Sequence, residues 1–146
     1  MISFKSLTRQ TEIGANCYLL KIGNKRILID AGMHPKEEGK KSLPDFSSIY
    51  EHDIDAAILS HAHLDHSGSM PVVQRHYPEM PVMMTEATSA LSQALLHNSV
   101  NVMNSKRNEL GLDEYPFFTH REIHKISKRW YHRRTEKKFE LDNDGE

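Results

Sequence analysis

Several features that would restrict function are absent or scarce in this 146-residue chain. Cys17 is the only cysteine, so no internal disulfide can form. No apolar run reaches the ~20 residues that a membrane-spanning helix needs, and the N-terminus does not resemble a secretion signal. The formal net charge is −1, which provides no overall attraction to nucleic acid. We therefore expect a cytoplasmic protein that does not interact with membranes and whose function depends on local chemistry.

Short apolar segments alternating with turns predict one α/β domain over residues 1–146. The first third predicts antiparallel strands at ISFKSL, NCYLLKI and KRILID, with Gly23-Asn24 as the hairpin turn between the last two. Two further buried strands are predicted at DAAILS and MPVMMT. With 38% hydrophobic residues, the chain has enough apolar material to form a core.

Three segments predict helices. One begins at Pro71, directly after a histidine cluster. A second extends from Glu86 to about Met103, where apolar residues recur at helical spacing and are expected to face the core: Ala90, Leu91, Ala94, Leu95, Val100 and Met103. A third is predicted to begin near Thr119 and to continue through the basic stretch KISKRWYHRRTEKK.

The histidine cluster SHAHLDHSGSMP, residues 60–71, carries the clearest chemical signal. It follows a predicted strand, where residues two apart point to the same side, so His61 and His63 can bind one ion together. Asp65 and His66 follow as the chain turns into a helix and can serve a neighbouring position. Imidazole nitrogen with carboxylate oxygen suits zinc, manganese or iron better than calcium. We predict a metal site that one or two ions can share.

The alternative is that these are incidental surface histidines, since the chain contains ten. The spacing of the cluster between a strand and a helix favours the metal site. His120 and His124 lie one helical turn apart, but Glu122 is not where metalloprotease motifs require it, so a solvated helix face is favoured there. The remaining histidines are isolated and are interpreted as structural: His34, His52, His76, His97 and His132.

Residues His61 to His66 resemble the HxHxDH signature of the metallo-β-lactamase superfamily, and ILIDAG, ending in Asp30-Ala31-Gly32, resembles its first motif. The form HLDHSGSMP, with Pro71 soon after the glycine, is similar to the β-CASP branch of RNA-processing and DNA-repair nucleases. The resemblance implies the N-terminal portion of an αββα sandwich, with a mixed or antiparallel sheet and flanking helices.

The same resemblance implies a two-zinc hydrolase that cleaves a phosphodiester, RNA rather than DNA, by a metal-bound hydroxide. His61 and His63 would bind the first ion, and Asp65 and His66 the second. Asp65 would also act in catalysis by orienting the hydroxide. Asp30 would orient a ligand histidine through a hydrogen bond.

Members of this family complete the site with later residues: a further histidine, a bridging aspartate and a C-terminal histidine. None of these, and no β-CASP insert, is recognised in residues 72–146. We therefore expect a partial domain that is inactive or nearly so on its own. Its sheet would either bind a missing C-terminal half or promote self-association.

Three functions remain open on the sequence: a metal-dependent nuclease, a small-ester or thioester hydrolase of the same fold, and a non-catalytic nucleic-acid-binding fragment. The basic stretch bears on this choice because basic and aromatic side chains together can contact phosphates and stack bases. A solvated basic helix is slightly favoured over that interpretation. The residues that would make nucleic-acid contacts are Lys128, Arg129, Trp130, Tyr131, Arg133 and Arg134.

Overall fold

A mixed six-stranded sheet organises the chain in the computed structural model, which describes residues 1–9 and 14–140. The strands lie side by side in chain order: β1 (Ile2–Ser6), β2 (Tyr18–Ile22), β3 (Lys25–Ile29), β4 (Ala56–Ile58), β5 (Val82–Met84) and β6 (Trp130–His132). The described helices are α1 (Leu64–Ser67), α2 (Met70–His76), α3 (Glu86–Leu110) and α4 (His120–Ile126). None of them is long and apolar enough to cross a membrane. The predicted α/β class is confirmed.

The sheet changes from antiparallel to parallel at β3. Strands β1, β2 and β3 form an antiparallel meander, and Gly23 makes the predicted turn between β2 and β3 with a φ of 58°, a conformation that glycine adopts without steric cost. From β3 to β6 every pair is parallel. Each parallel connection returns the chain to the same edge, so the loops that follow β3 and β4 meet there. The five predicted strands are all present, each shorter than its apolar run.

One face of the sheet packs on the helices. The register places these side chains in a row across the face: Leu19, Leu28, Ala57, Val82 and Trp130. All but the half-buried Leu19 are buried, and the row joins a core cluster that includes Val73 of α2, Val100 of α3 and Ile123 of α4. Burying side chains of this size stabilises the fold by roughly 1.5–3 kcal/mol each.

The opposite face, which we call the open face, is also apolar but lies outside that cluster. Its register-matched residues are Phe4, Tyr18, Leu20, Ile27, Ile29, Ile58, Met83 and Tyr131, continued by Ile2 and Ile22 along β1 and β2. Phe4 is 62% exposed and Ile2 71% exposed. Phe4 stacks on Tyr18 with ring centroids 5.3 Å apart. Ile27 and Met83 of this face are buried, so its exposed apolar part lies on β1 and β2, and an interaction through it stays a prediction.

Helix α3 buries a different face from the one predicted. Ala90, Leu91 and Ala94 are exposed and Leu95 is only half-buried, whereas Val100 and Met103 lie in the core as expected. The other buried positions of α3 are Ser89, Ser92, Leu96 and Ser99. Serine side chains are small, so they let the helix approach its neighbours closely. Hydropathy spacing could not identify this face because half of the residues that form it are polar.

The prediction that the third helix continues through the basic stretch is wrong. Helix α4 begins after the N-cap Thr119, which forms a capping box with Glu122, and it ends at Ile126. A short 3-10 turn follows, and Trp130 to His132 then form β6, parallel to β5. The β-prone Trp and Tyr pair with a buried strand and override the helical tendency of the basic residues around them.

Candidate metal centre

The predicted histidine pair lies where β4 leads into α1. After Ile58 the chain continues without regular structure to His63, the residue that precedes α1. His61, His63 and Asp65 each offer a ligand atom within 4.8 Å of the others, the only such group of three among residues 1–9 and 14–140. The His61 and His63 rings are 5.1 Å apart, nearly edge to face. Three of the four predicted ligands therefore converge.

His66, the fourth predicted ligand, lies beside this group. Its ring centroid is 3.9 Å from that of His61, and its Nε2 is 3.6 Å from Asp65 Oδ2. On the other side of the ring, Nδ1 is 2.7 Å from Asp30 Oδ2. A carboxylate oxygen can only accept, so Nδ1 carries the hydrogen of this bond. In the tautomer that this bond favours, Nε2 is the nitrogen without a hydrogen, and it lies on the side of the ring nearer Asp65.

Asp30 is a buried anchor directly after β3, only 3% exposed. Besides His66, its carboxylate accepts hydrogen bonds from the backbone N–H and the hydroxyl of Ser60, both at 2.7 Å. Its own N–H donates to Ile58 O at 2.9 Å, and its φ is 60°. The carboxylate thus ties the residue after β3 to the start of the histidine loop. The bond to His66 would let Asp30 orient that ring, and this role stays a prediction.

Two residues of the site were not identified from the sequence. The Ser60 hydroxyl oxygen lies 3.1 Å from His61 Nδ1. Asn16 donates both its backbone N–H, at 2.9 Å, and its side-chain N–H, at 3.1 Å, to Asp65 O. The Asn16 amide nitrogen also lies 3.2 Å from His66 Nε2, the nitrogen that would face an ion. Ser60 could have been found from its place directly after the strand DAAIL; Asn16 gave no local signal.

Close packing between the loop after β3 and helix α1 holds the cluster in place. Ala31 N donates to His66 O at 2.9 Å, and Met33 N donates to Leu64 O at 2.7 Å. A Cβ added to Gly32 would stand 1.8 Å from Asp65 O, so no larger residue fits without moving the loop. A Cβ added to Gly68 would likewise stand only 2.5 Å from Leu64 O. The small residues are required by contact with the backbone that carries the ligands.

The donor set fits a transition metal. Three imidazoles and one carboxylate lie together, and no thiolate or ring of oxygens is present among them. Such nitrogen and oxygen ligands suit zinc, manganese and iron, whereas calcium requires oxygen ligands. Cys17 is buried and is not part of this group, and burial raises the pKa of its thiol.

A cleft of about 530 Å³ opens beside Asp65 between α1 and α3. Apolar side chains form much of its lining, among them Met33, Leu64, Val102 and Met103. An ion pair between Lys106 and Glu38 also contributes, and Tyr115 donates its hydroxyl hydrogen to Glu38 at 2.8 Å. Burial alone would raise the pKa of Glu38, but these two hydrogen bonds and the Lys106 charge lower it. The carboxylate therefore stays ionised at neutral pH.

The basic stretch does not present the aromatic platform proposed for nucleic acid. Trp130 is 6% exposed and donates its indole N–H to Gln74 Oε1 at 2.9 Å inside the core, so it cannot stack on a base. Tyr131 is half-buried on the open face, Arg129 pairs with Glu79, and Arg133 lies over the Phe139 ring at 5.1 Å. Lys128 and Arg134 are exposed, and their contact with nucleic acid stays a prediction.

Sequence comparison gives consistent matches. The profile of the metallo-beta-lactamase superfamily matches residues 11–126. Endoribonuclease YSH1 of Saccharomyces cerevisiae is 33% identical over 123 residues, which are 82% of this chain and 16% of that protein. Endoribonuclease YSH1 of Kluyveromyces lactis is 38% identical over 102 residues, 69% of this chain and 13% of that protein. The chain thus spans less than a fifth of the length of these relatives.

A comparison with solved structures supports the architecture. An archaeal metallo-beta-lactamase superfamily protein from Sulfolobus tokodaii superposes with a TM-score of 0.56 over 97% of this chain and 52% of its own, at 18% sequence identity. At that identity the likeness concerns the fold alone.

Proposed function

The chain belongs to the metallo-beta-lactamase superfamily, and on that basis we propose that it contributes the metal-binding half-site of a hydrolase that cleaves RNA phosphodiesters. The observation that carries the proposal is the convergence of His61, His63 and Asp65 within 4.8 Å at the end of a parallel strand. The relatives named endoribonucleases support RNA as the substrate, although the match covers only part of their length.

In this proposal His61 and His63 hold one divalent ion, and Asp65 with His66 contributes to a second, with zinc or manganese as the preferred metal. Bound ions would supply Lewis acidity toward the phosphoryl group. Asp65 would orient an attacking water, and its carboxylate lies close to His61, His63 and His66, which supports this role. Asp30 fixes the tautomer of His66, so that Nδ1 stays protonated and Nε2 faces the site.

The test uses the purified 146-residue chain and, where the reading frame extends beyond residue 146, the full product of that frame. Each is loaded with zinc or manganese and given labelled single-stranded RNA and DNA of the same sequence. We expect metal-dependent cleavage of RNA by the full product, abolished in its His61→Ala/His63→Ala variant. Cleavage that survives this substitution would overturn the proposal. Retention of RNA without cleavage in any metal would instead identify a binding module.

A small-ester or thioester hydrolase is a second candidate, and the cleft beside Asp65 favours it. That cleft, about 530 Å³ with a largely apolar lining, could hold an acyl group next to the ligands. An exposed Val102→Arg substitution would place a charge in the cleft without touching the metal ligands. If ester turnover falls in this variant, and the same protein without the substitution does not cleave RNA, the esterase is the better assignment.

A further inference from the structure

A second group of histidines lies away from the metal centre, between α3 and α4. His97 of α3 contacts His120 and His124 of α4, although 23 and 27 positions separate them in the chain. The His97 and His120 rings stack with centroids 5.0 Å apart, and the His97 and His124 centroids are 4.9 Å apart. We call these three residues the helix histidines. His97 is half-buried, and the other two are exposed to solvent.

The hydrogen bonds of His120 define which ring nitrogens carry protons. Its Nε2 lies 3.2 Å from Asn101 Oδ1, and an amide oxygen only accepts, so Nε2 is the protonated nitrogen. In the neutral ring the Nδ1 lone pair then points at His97 Nδ1, 2.7 Å away. Two ring nitrogens thus face each other across the helix interface, and Asn101 holds one ring as hydrogen-bonding partners hold metal-bound histidines.

We propose that the helix histidines form a separate binding site for a divalent transition-metal ion such as zinc, which would link α3 to α4. Three imidazoles are a recognised zinc ligand set, with a fourth position left to water. His120 and His124 are four residues apart on one helix face, so both can reach the same ion.

The site needs a small adjustment to admit an ion. Two nitrogens bound tetrahedrally at 2.0–2.1 Å from zinc lie about 3.3 Å apart, against the 2.7 Å between the Nδ1 atoms of His97 and His120. A His124 nitrogen does not yet join this pair, because among residues 1–9 and 14–140 only His61, His63 and Asp65 bring three ligand atoms within 4.8 Å of one another. A rotamer change at the exposed His124 would supply the third ligand.

The test measures zinc content in a His61→Ala/His63→Ala background, so that failure of the main centre cannot be confused with failure here. After dialysis against micromolar free zinc, we expect about one bound equivalent by mass spectrometry. A further His97→Ala or His124→Ala substitution should remove that equivalent and the zinc-induced rise in melting temperature. The matched control His132→Ala, an exposed histidine of β6, should change neither value.

Equal zinc content in the His97→Ala and control variants would overturn the proposal, as would binding seen only at millimolar zinc, which would mean an adventitious ion only. A second measurement avoids substitutions at the helix interface. In the His61→Ala/His63→Ala protein, zinc should slow modification of all three helix histidines by diethyl pyrocarbonate several-fold, read by peptide mass spectrometry. Unchanged modification rates at these residues would also refute the site.

Discussion

Replacing Asp30 by asparagine tests how the metal centre is organised. The carboxylate is 3% exposed and accepts three hydrogen bonds at 2.7 Å, two from Ser60 and one from His66. Asparagine keeps the shape and tolerates the positive φ of 60°. It replaces one acceptor oxygen by an N–H donor, so at least one of the three bonds is lost. The substitution thus isolates hydrogen bonding from backbone strain.

The expected effects have two separate magnitudes. A hydrogen bond to a charged group contributes about 1.5–3 kcal/mol, so the free energy of unfolding should fall by roughly that amount. For a chain of this size, each kcal/mol corresponds to a drop in melting temperature of about 2–4 °C. Loss of the partner that orients a ligand histidine typically weakens metal binding by about 10–100-fold.

The assays are zinc affinity by competition with a chelating dye and thermal unfolding of the metal-free protein. A matched control is Asp45→Asn, because Asp45 is exposed and its carboxylate accepts hydrogen bonds from the N–H and hydroxyl of Ser47 in its own loop. Asp45→Asn should leave zinc affinity unchanged. If Asp30→Asn binds zinc within twofold of the parent and melts at the same temperature, then Asp30 does not orient His66 and the reasoning fails.

Four further predictions concern the ligands, turnover, the open face and acid stability. The His61→Ala/His63→Ala double variant should lose the metal of the main centre, measured by mass spectrometry against an otherwise identical His52→Ala control. The 146-residue chain alone should show little or no metal-dependent RNA cleavage, because the described residues unite only one group of three close ligands; robust turnover would contradict this. The open face should drive self-association, so Phe4→Glu should shift the sedimentation of the chain toward monomer, whereas a parent that is already monomeric would argue against that role. Burial alone would raise the pKa of Glu122, but hydrogen bonds from Arg75 and Thr119 and the Arg75 charge lower it below its usual value of 4.5. The contribution of this carboxylate to stability should therefore be present above pH 4.5 and disappear as the pH falls through the folded-state pKa. The difference in stability between the parent and Glu122→Gln should accordingly vanish in acid.

The grouping of the candidate metal ligands was largely predictable because these residues are nearly contiguous. His61, His63 and Asp65 lie within five positions, so the direction of a strand and the start of a helix suffice to bring them together. Asp30 was accessible through its motif at a strand end. Asn16 was not, because its contact with Asp65 O spans 49 positions and depends on how the strands are ordered in the sheet.

The errors arose where local pattern and tertiary packing disagree. In α3, Leu91 is 52% exposed while Ser92 is fully buried, so the apolar spacing indicated the wrong face. In the basic stretch, charge density suggested a solvated helix, but pairing with β5 and burial of Trp130 determined a strand. Both outcomes depend on the part of the chain against which the segment packs, and a short stretch of local sequence carries no information about it.

The contacts of the ligand loop bear on whether its metal affinity depends on what covers the open face. The backbone bonds that fix the loop come from Asn16, Ala31 and Met33, and the tight approach at Gly32 closes the gap between them. These bonds are made by residues outside the open face, and the described link between the two is the Tyr18 hydroxyl, which donates to Asn16 Oδ1 at 3.2 Å. A partner or second copy bound to the open face should therefore change self-association and overall stability more than it changes the affinity of the loop for its first metal ion. Zinc affinity measured at protein concentrations above and below the self-association range would differ strongly only if this separation is wrong.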